Sequence, residues 1–241
     1  MRLLPVVKSL LWLALVAFVV MLGLGYARRH PQDVPWAALD LTEPVGLFTG
    51  RKLAALTGDA PQCEALLRRA GVRFTPLAPV RAGHCGYDDG VRFAGGGSRR
   101  IAFAPAGVGT SCAVAAGLAL WEWHVVQPAA ERHFGSAVVR IDHLGSYNCR
   151  RLYGRAAGAF SEHSTADAID VAGFRLADGT RIGVARDWRG RGAKAGFLRE
   201  VRDGACGLFS TVLSPDYNAA HRDHFHLDQA KRGAVGWRGC R

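Results

Sequence analysis

Four side chains carry the most suggestive chemistry in this sequence: His163, Asp170, His224 and His226. His224 and His226 are two apart in a strand-like context, and a period of two puts both imidazoles on one face of a strand. The six residues between His163 and Asp170 leave room for a turn followed by a strand, which can return an imidazole and a carboxylate to one centre. Two His nitrogens plus one Asp oxygen form a catalytic zinc shell whose fourth position is left for water. Imidazole is a poor ligand for calcium or magnesium, so the expected ion is Zn2+. The plain alternative is a surface His pair beside a solvated Asp170. Ile169, Val171, Phe225 and Leu227 argue against it, because apolar neighbours on both sides turn the polar residues into a cleft.

The elements that must position these residues can be read from periodicity. Residues 138–141, 168–176, 181–184, 210–213 and 224–227 read as strands, and Asp178-Gly179 between two of them is a hairpin turn. A helix over 193–203 interrupts the series. The strongest helical signal spans 111–134, with Ala113, Ala116, Leu120 and Trp123 on one face and Pro128 expected to break it. A shorter helix opens at Asp59 as N-cap and stops at Gly71, with Leu66, Leu67 and Ala70 turned inward. Residues 72–100 are turn-rich. Early helices and late hairpin-linked strands predict an α+β fold: helices packed on an antiparallel sheet that bears the site.

The 241 residues include 49% apolar side chains, enough to bury a real core and exclude wholesale disorder. Thirty Gly and 10 Pro fall short of a collagen-like or proline-rich fibrous chain. A net charge of +11 favours anionic partners such as nucleic acid, anionic lipid or acidic wall polymers. Residues 9–27, between Lys8 and Arg28, are uncharged and mostly apolar, just long enough to span a bilayer. They are read as an N-terminal transmembrane helix, with a cleaved signal peptide ending near Gly25-Tyr26-Ala27 as the competing reading. Orientation stays open, since Arg2 and Lys8 on one side face Arg28 and Arg29 on the other.

Six cysteines follow the apolar run and none sits in a CxxC pair, against zinc-ribbon or thioredoxin-like readings. An even, dispersed set behind an export signal reads as three disulfides in an oxidising compartment; six buried thiols in a cytosolic enzyme is the alternative. Chain order suggests the pairs Cys63–Cys85, Cys112–Cys149 and Cys206–Cys240. Export makes an anionic envelope polymer the expected partner and removes nucleic acid. The resulting division is an anchor or signal peptide over 1–27, a linker over 28–58 and one domain over 59–241.

Ser-x-His-x6-Asp followed downstream by His-x-His is similar to the signature of zinc peptidases grouped with D-alanyl-D-alanine carboxypeptidases, D-Ala-D-Ala dipeptidases and lysostaphin-type endopeptidases. More closely, the stretch from about Cys63 to Cys240 resembles the bacterial extensin-like C-terminal domain family. That resemblance is carried by Ser146-Tyr147-Asn148-Cys149-Arg150, Ser161-Glu162-His163, Ala168-Ile169-Asp170, the run from Thr211 to Asn218, and the run from His221 to Asp228. It implies His163, Asp170 and His226 as zinc ligands. It also implies that His224 assists the metal-bound water or steadies the oxyanion, and that Arg150 contacts substrate. Two departures stand: Ala166 replaces a usual Gly, and no Glu matches the dipeptidase-type general base, with Asp223 and Asp228 the nearest acids.

These readings together predict a single-pass inner-membrane protein whose periplasmic domain is a zinc hydrolase acting on peptidoglycan peptides. The rivals are a wall-binding or scaffold module that keeps the zinc pocket, and a metal-independent envelope protein whose histidines pair with acids. Ser161 is expected to cap or orient the His163 turn, Asp167 to be solvated, and His221 to lie on the surface. Tyr217 and Asn218 are cleft candidates, at least one of Trp121 and Trp123 should lie in the core, and His124, His133 and His143 default to structural roles.

Overall fold

The computed structural model describes residues 3–232 and 238–241, so Arg2 of the flanking-charge argument lies outside the described residues. An unbroken helix, α1 (Leu3–Arg29), opens the chain, and its stretch Pro5–Arg29 is long and apolar enough to cross a membrane. None of that stretch is buried against the rest of the protein. Then come α2 (Thr49–Ala55), α3 (Ala60–Arg69) and six short strands: β1 (Val72–Pro76), β2 (Val80–Ala82), β3 (Cys85–Tyr87), β4 (Gly90–Gly97), β5 (Ala102–Ala104) and β6 (Gly109–Ser111). Two helices follow, α4 (Cys112–Trp121) and α5 (Gln127–Phe134). The remainder is β7 (Val138–Gly145), β8 (Ala168–Leu176), β9 (Arg181–Gly183), α6 (Val184–Asp187), α7 (Ala193–Cys206), β10 (Thr211–Leu213), β11 (Phe225–Asp228) and β12 (Gly239–Cys240).

The main sheet has the order β12-β10-β11-β8-β7-β5, with β9 also paired to β8. One edge of β8 is shared: β11 pairs with residues 168–171 and β9 with residues 173–175, while β7 runs along the other edge. The β8–β9 connection is the expected hairpin, with Gly179 at φ +89° and Asp178 Oδ1 accepting from the Thr180 amide. The expectation of an antiparallel sheet needs correction at both ends. β5 joins β7, and β12 joins β10, in parallel, so the sheet is mixed. Both edge strands enter from remote segments, which local periodicity does not register.

All ten residues of α4 are buried, as a helix apolar on every side requires. Trp121 is in the core and donates from Nε1 to the Val201 carbonyl at 2.8 Å. Pro128 does not separate two helices. Residues Glu122–Val126 widen into a π-helical segment that runs into α5, and Pro128 falls in the first turn of α5. Pro lacks the N–H that an unbroken helix would use there, and the wider turn lies directly before it. The widened turn also directs Glu122 to the Arg100 and Ile101 amides and to Arg99. Asp59 caps α3 as expected, accepting from the Gln62 amide.

Residues 28–58, expected as a linker, carry α2 and place Leu39, Leu41, Leu53 and Leu56 in the core. The disulfides are Cys63–Cys112, Cys85–Cys149 and Cys206–Cys240. The third pair agrees with chain order and the first two correct it. Cys63 and Cys112 are fully buried where α3 meets α4, which brings them together across 49 residues. Cys149 is bound instead to β3 through Cys85, so the turn bearing Arg150 is tied to the β2–β3 hairpin rather than to α4.

Candidate metal centre and its cleft

Each candidate ligand is set by a different piece of backbone. Ser161 caps a short 3-10 helix, Glu162–Thr165, accepting from the His163 amide at 3.4 Å and so fixing where that imidazole begins. The turn ends at Ala166, whose φ of 59° is the left-handed region. An L residue in that region costs about 1–2 kcal/mol. The Ala166 carbonyl is held in return by the Ser111 amide and the Ser146 hydroxyl. Asp170 lies on β8 and His226 directly opposite it on β11. His224 stands one residue before β11.

The three side chains converge. His163 Nε2 is 3.2 Å from both Asp170 Oδ1 and His226 Nδ1, and His226 Nδ1 is 3.0 Å from Asp170 Oδ1. His224 Nε2 approaches the same Asp170 oxygen at 3.5 Å, so both members of His-x-His do face one way. All four residues are less than one-tenth exposed or close to it.

The outward nitrogens decide what this cluster can hold. His163 Nδ1 donates to the Ser146 carbonyl at 2.6 Å, and His226 Nε2 donates to Asp228 Oδ2 at 3.1 Å. Both rings then turn a lone pair toward Asp170, and three acceptors within hydrogen-bond distance need a cation among them. Without a metal that cation is a proton. Burial opposes charge on His226, but hydrogen bonds to Asp170 and Asp228 outweigh it and raise the imidazole to about 9. Burial likewise opposes charge on Asp170, and the hydrogen bonds with His163 and His226 hold its carboxyl far below the usual range. Two imidazole nitrogens and a carboxylate oxygen, with the far nitrogens anchored, form a donor set that fits zinc.

The cluster lines a cleft of about 560 Å³. Arg150 lines the same cleft, its carbonyl accepting from the Ser161 amide. Tyr217 also faces it, and Asn218 bridges toward it, accepting from His221 Nδ1 and donating to the Tyr153 hydroxyl at 3.2 Å. His221, expected on the surface, is a cleft residue: its ring packs 5.3 Å from that of His224 and 5.9 Å from that of His226. Burial, then the nearness of His226 and His224, lowers it to about 4. Asp167, expected solvated, is 7% exposed. Burial raises its carboxyl to about 7 against a hydrogen bond from Ser111, with Asp89, Glu162 and Asp228 adding to the rise. His133 pairs with Glu200 and His143 with the Pro105 carbonyl, away from the cleft.

Sequence reasoning missed Glu162, Tyr153, Arg232 and Arg241, which all line the cleft. It named Asp228 only as a nearby acid. The signal was present: 224, 226 and 228 continue one period of two, placing an acid beside the second histidine. The model of the family described as extensin-like protein C-terminus matches residues 61–241. The chain belongs to that family. No curated protein and no solved structure matches the chain. In this extensin-like chain the family match takes in His163, Asp170, His224, His226, Arg150 and all six cysteines.

Proposed function

We propose that the chain is a membrane-anchored, periplasmic zinc hydrolase that cleaves amide bonds in peptidoglycan stem peptides or their cross-links. The observation that carries this reading is the convergence of His163 Nε2, His226 Nδ1 and Asp170 Oδ1 on one wall of an open cleft. A zinc ion held by those three atoms would polarise a scissile carbonyl and lower the pKa of a bound water toward ~7. The relation to D-Ala-D-Ala carboxypeptidases and lysostaphin-type peptidases belongs to the same reading and rests on the spacing of these residues.

The chain's own groups supply the rest. Asp223 accepts from His224 Nδ1 at 2.9 Å, which leaves Nε2 facing the cleft as a base able to take or share a proton. Arg150 can hold a substrate carboxylate with two parallel hydrogen bonds. The Cys85–Cys149 bridge fixes the residue before Arg150, so the guanidinium starts from a restrained backbone. The test is metal content together with turnover on purified muropeptides. Stoichiometric zinc with release of stem-peptide fragments supports the reading. Full occupancy without turnover on any muropeptide moves the protein to a wall-binding module.

A further inference from the structure

Outside α1, the two most exposed large apolar side chains among the described residues are Trp36, at 85%, and Leu47, at 77%. Both stand on the segment laced to the C-terminal end of that helix. Tyr26, in the last turns of α1, donates its hydroxyl to Asp33 Oδ2 at 2.6 Å. Asp33 Oδ1 in turn accepts from the Leu47 amide at 2.7 Å. The Phe48 amide donates to the Gln32 carbonyl, and Lys52 Nζ to the Pro31 carbonyl. Helix end and apolar side chains are therefore joined by a short, hydrogen-bonded bracket rather than by slack chain.

We infer that this segment is a second membrane contact: Trp36 and Leu47 seat in the headgroup region of the bilayer that α1 spans. The inference rests on the reading of α1 as an uncleaved anchor. Tryptophan prefers the boundary between hydrocarbon and water, where its ring is covered and its N–H stays wet. Arg28 and Arg29 close the last turn of α1 and suit anionic headgroups. Hydrogen bonds from Tyr26, Leu47 and Thr42 hold Asp33 and Asp40 charged, and Glu43 is half-buried; Arg28, Arg29 and Lys52 offset these three acids, so the segment carries no net negative charge against the headgroups. Continuity with the spanning helix selects a lipid surface over a protein partner as the occupant.

Brominated lipids test this in the full chain, reconstituted in vesicles of equal parts phosphatidylethanolamine and phosphatidylglycerol. Quenching is compared for wild type, Trp12→Phe and Trp36→Phe. Trp12 lies within α1 and reports the anchor itself. Each substitution should remove a comparable share of the lipid-quenchable emission, and Leu47→Asp should lower the Trp36 share while leaving the Trp12 share intact. A loss with Trp12→Phe but none with Trp36→Phe keeps the anchor and overturns the second contact. No loss with either variant overturns the anchor reading and the inference with it.

Discussion

His226 stands opposite Asp170 in the β8–β11 register, and the two side chains meet with 3.0 Å between Nδ1 and Oδ1. Strand pairing alone brings these two donors together; only His163 has to be delivered by a turn. A slip of one residue would carry His226 to the other face of the sheet and dismantle the cluster.

Replacing His163, Asp170 or His226 by Ala should each abolish most zinc binding, measured by metal analysis after dialysis. His224→Ala should keep the metal and lose stem-peptide hydrolysis by ~10²–10⁴-fold, the usual size of general acid–base help. Loss of zinc from the His224 variant would mean that the roles within His-x-His are exchanged.

Asp228→Asn should retain the fold but weaken zinc affinity by ~10–100-fold, since the carboxylate fixes the His226 tautomer and raises its basicity. Competition with a chromophoric chelator reads this directly. An unchanged affinity would show that the 3.1 Å contact to Asp228 does not orient the ring.

Asp167 gives a pH signature. Its folded-state carboxyl is raised to about 7, so its favourable contribution is complete below the unfolded value near 3.8, falls steadily as pH rises from there, and is lost above about 7. Asp167→Asn should therefore gain on wild type between pH 5 and pH 8, the gap widening by roughly 3 kcal/mol, because about a third of the loss for a shift of about three units has already occurred by pH 5. Guanidinium melts at the two pH values measure it. An equal gap at both would count against a buried, reluctantly charged Asp167.

Non-reducing peptide mapping should recover Cys63 with Cys112 and Cys85 with Cys149. Removing the second pair, as Cys85→Ser with Cys149→Ser, should cost ~2–4 kcal/mol of stability. It should also raise KM more than it lowers zinc content, because the freed turn carries Arg150 and no metal donor. Equal losses in both would separate Arg150 from substrate binding.

Local signals were legible wherever one residue's chemistry decides a backbone state. Asp59 caps α3, Gly179 turns the β8–β9 hairpin, and Ser161 caps the His163 turn. The four clustered residues were legible too, because period two and a turn-sized gap are local facts. What stayed hidden depends on long-range closure. The Cys63–Cys112 pairing follows from how α3 rests on α4, and the parallel edges β5 and β12 come from distant segments. Asp167 looked solvated because its burial is imposed by Ser111 and by chain entering from residues 228–229. Arg232 and Arg241 reach the cleft without any pattern that spacing could show.

His163 and His226 are 63 residues apart, so the unfolded chain keeps only local pairs such as His224 and His226, and the three donors exist as a set only once β8 and β11 have paired. An ion taken up there would favour the folded state: at a free concentration a hundred times its Kd it would add up to about 2.7 kcal/mol, less whatever the unfolded pair binds. Were zinc that ion, starving the protein of it would narrow the margin that keeps β8 and β11 paired, with the three disulfides still holding the rest of the domain.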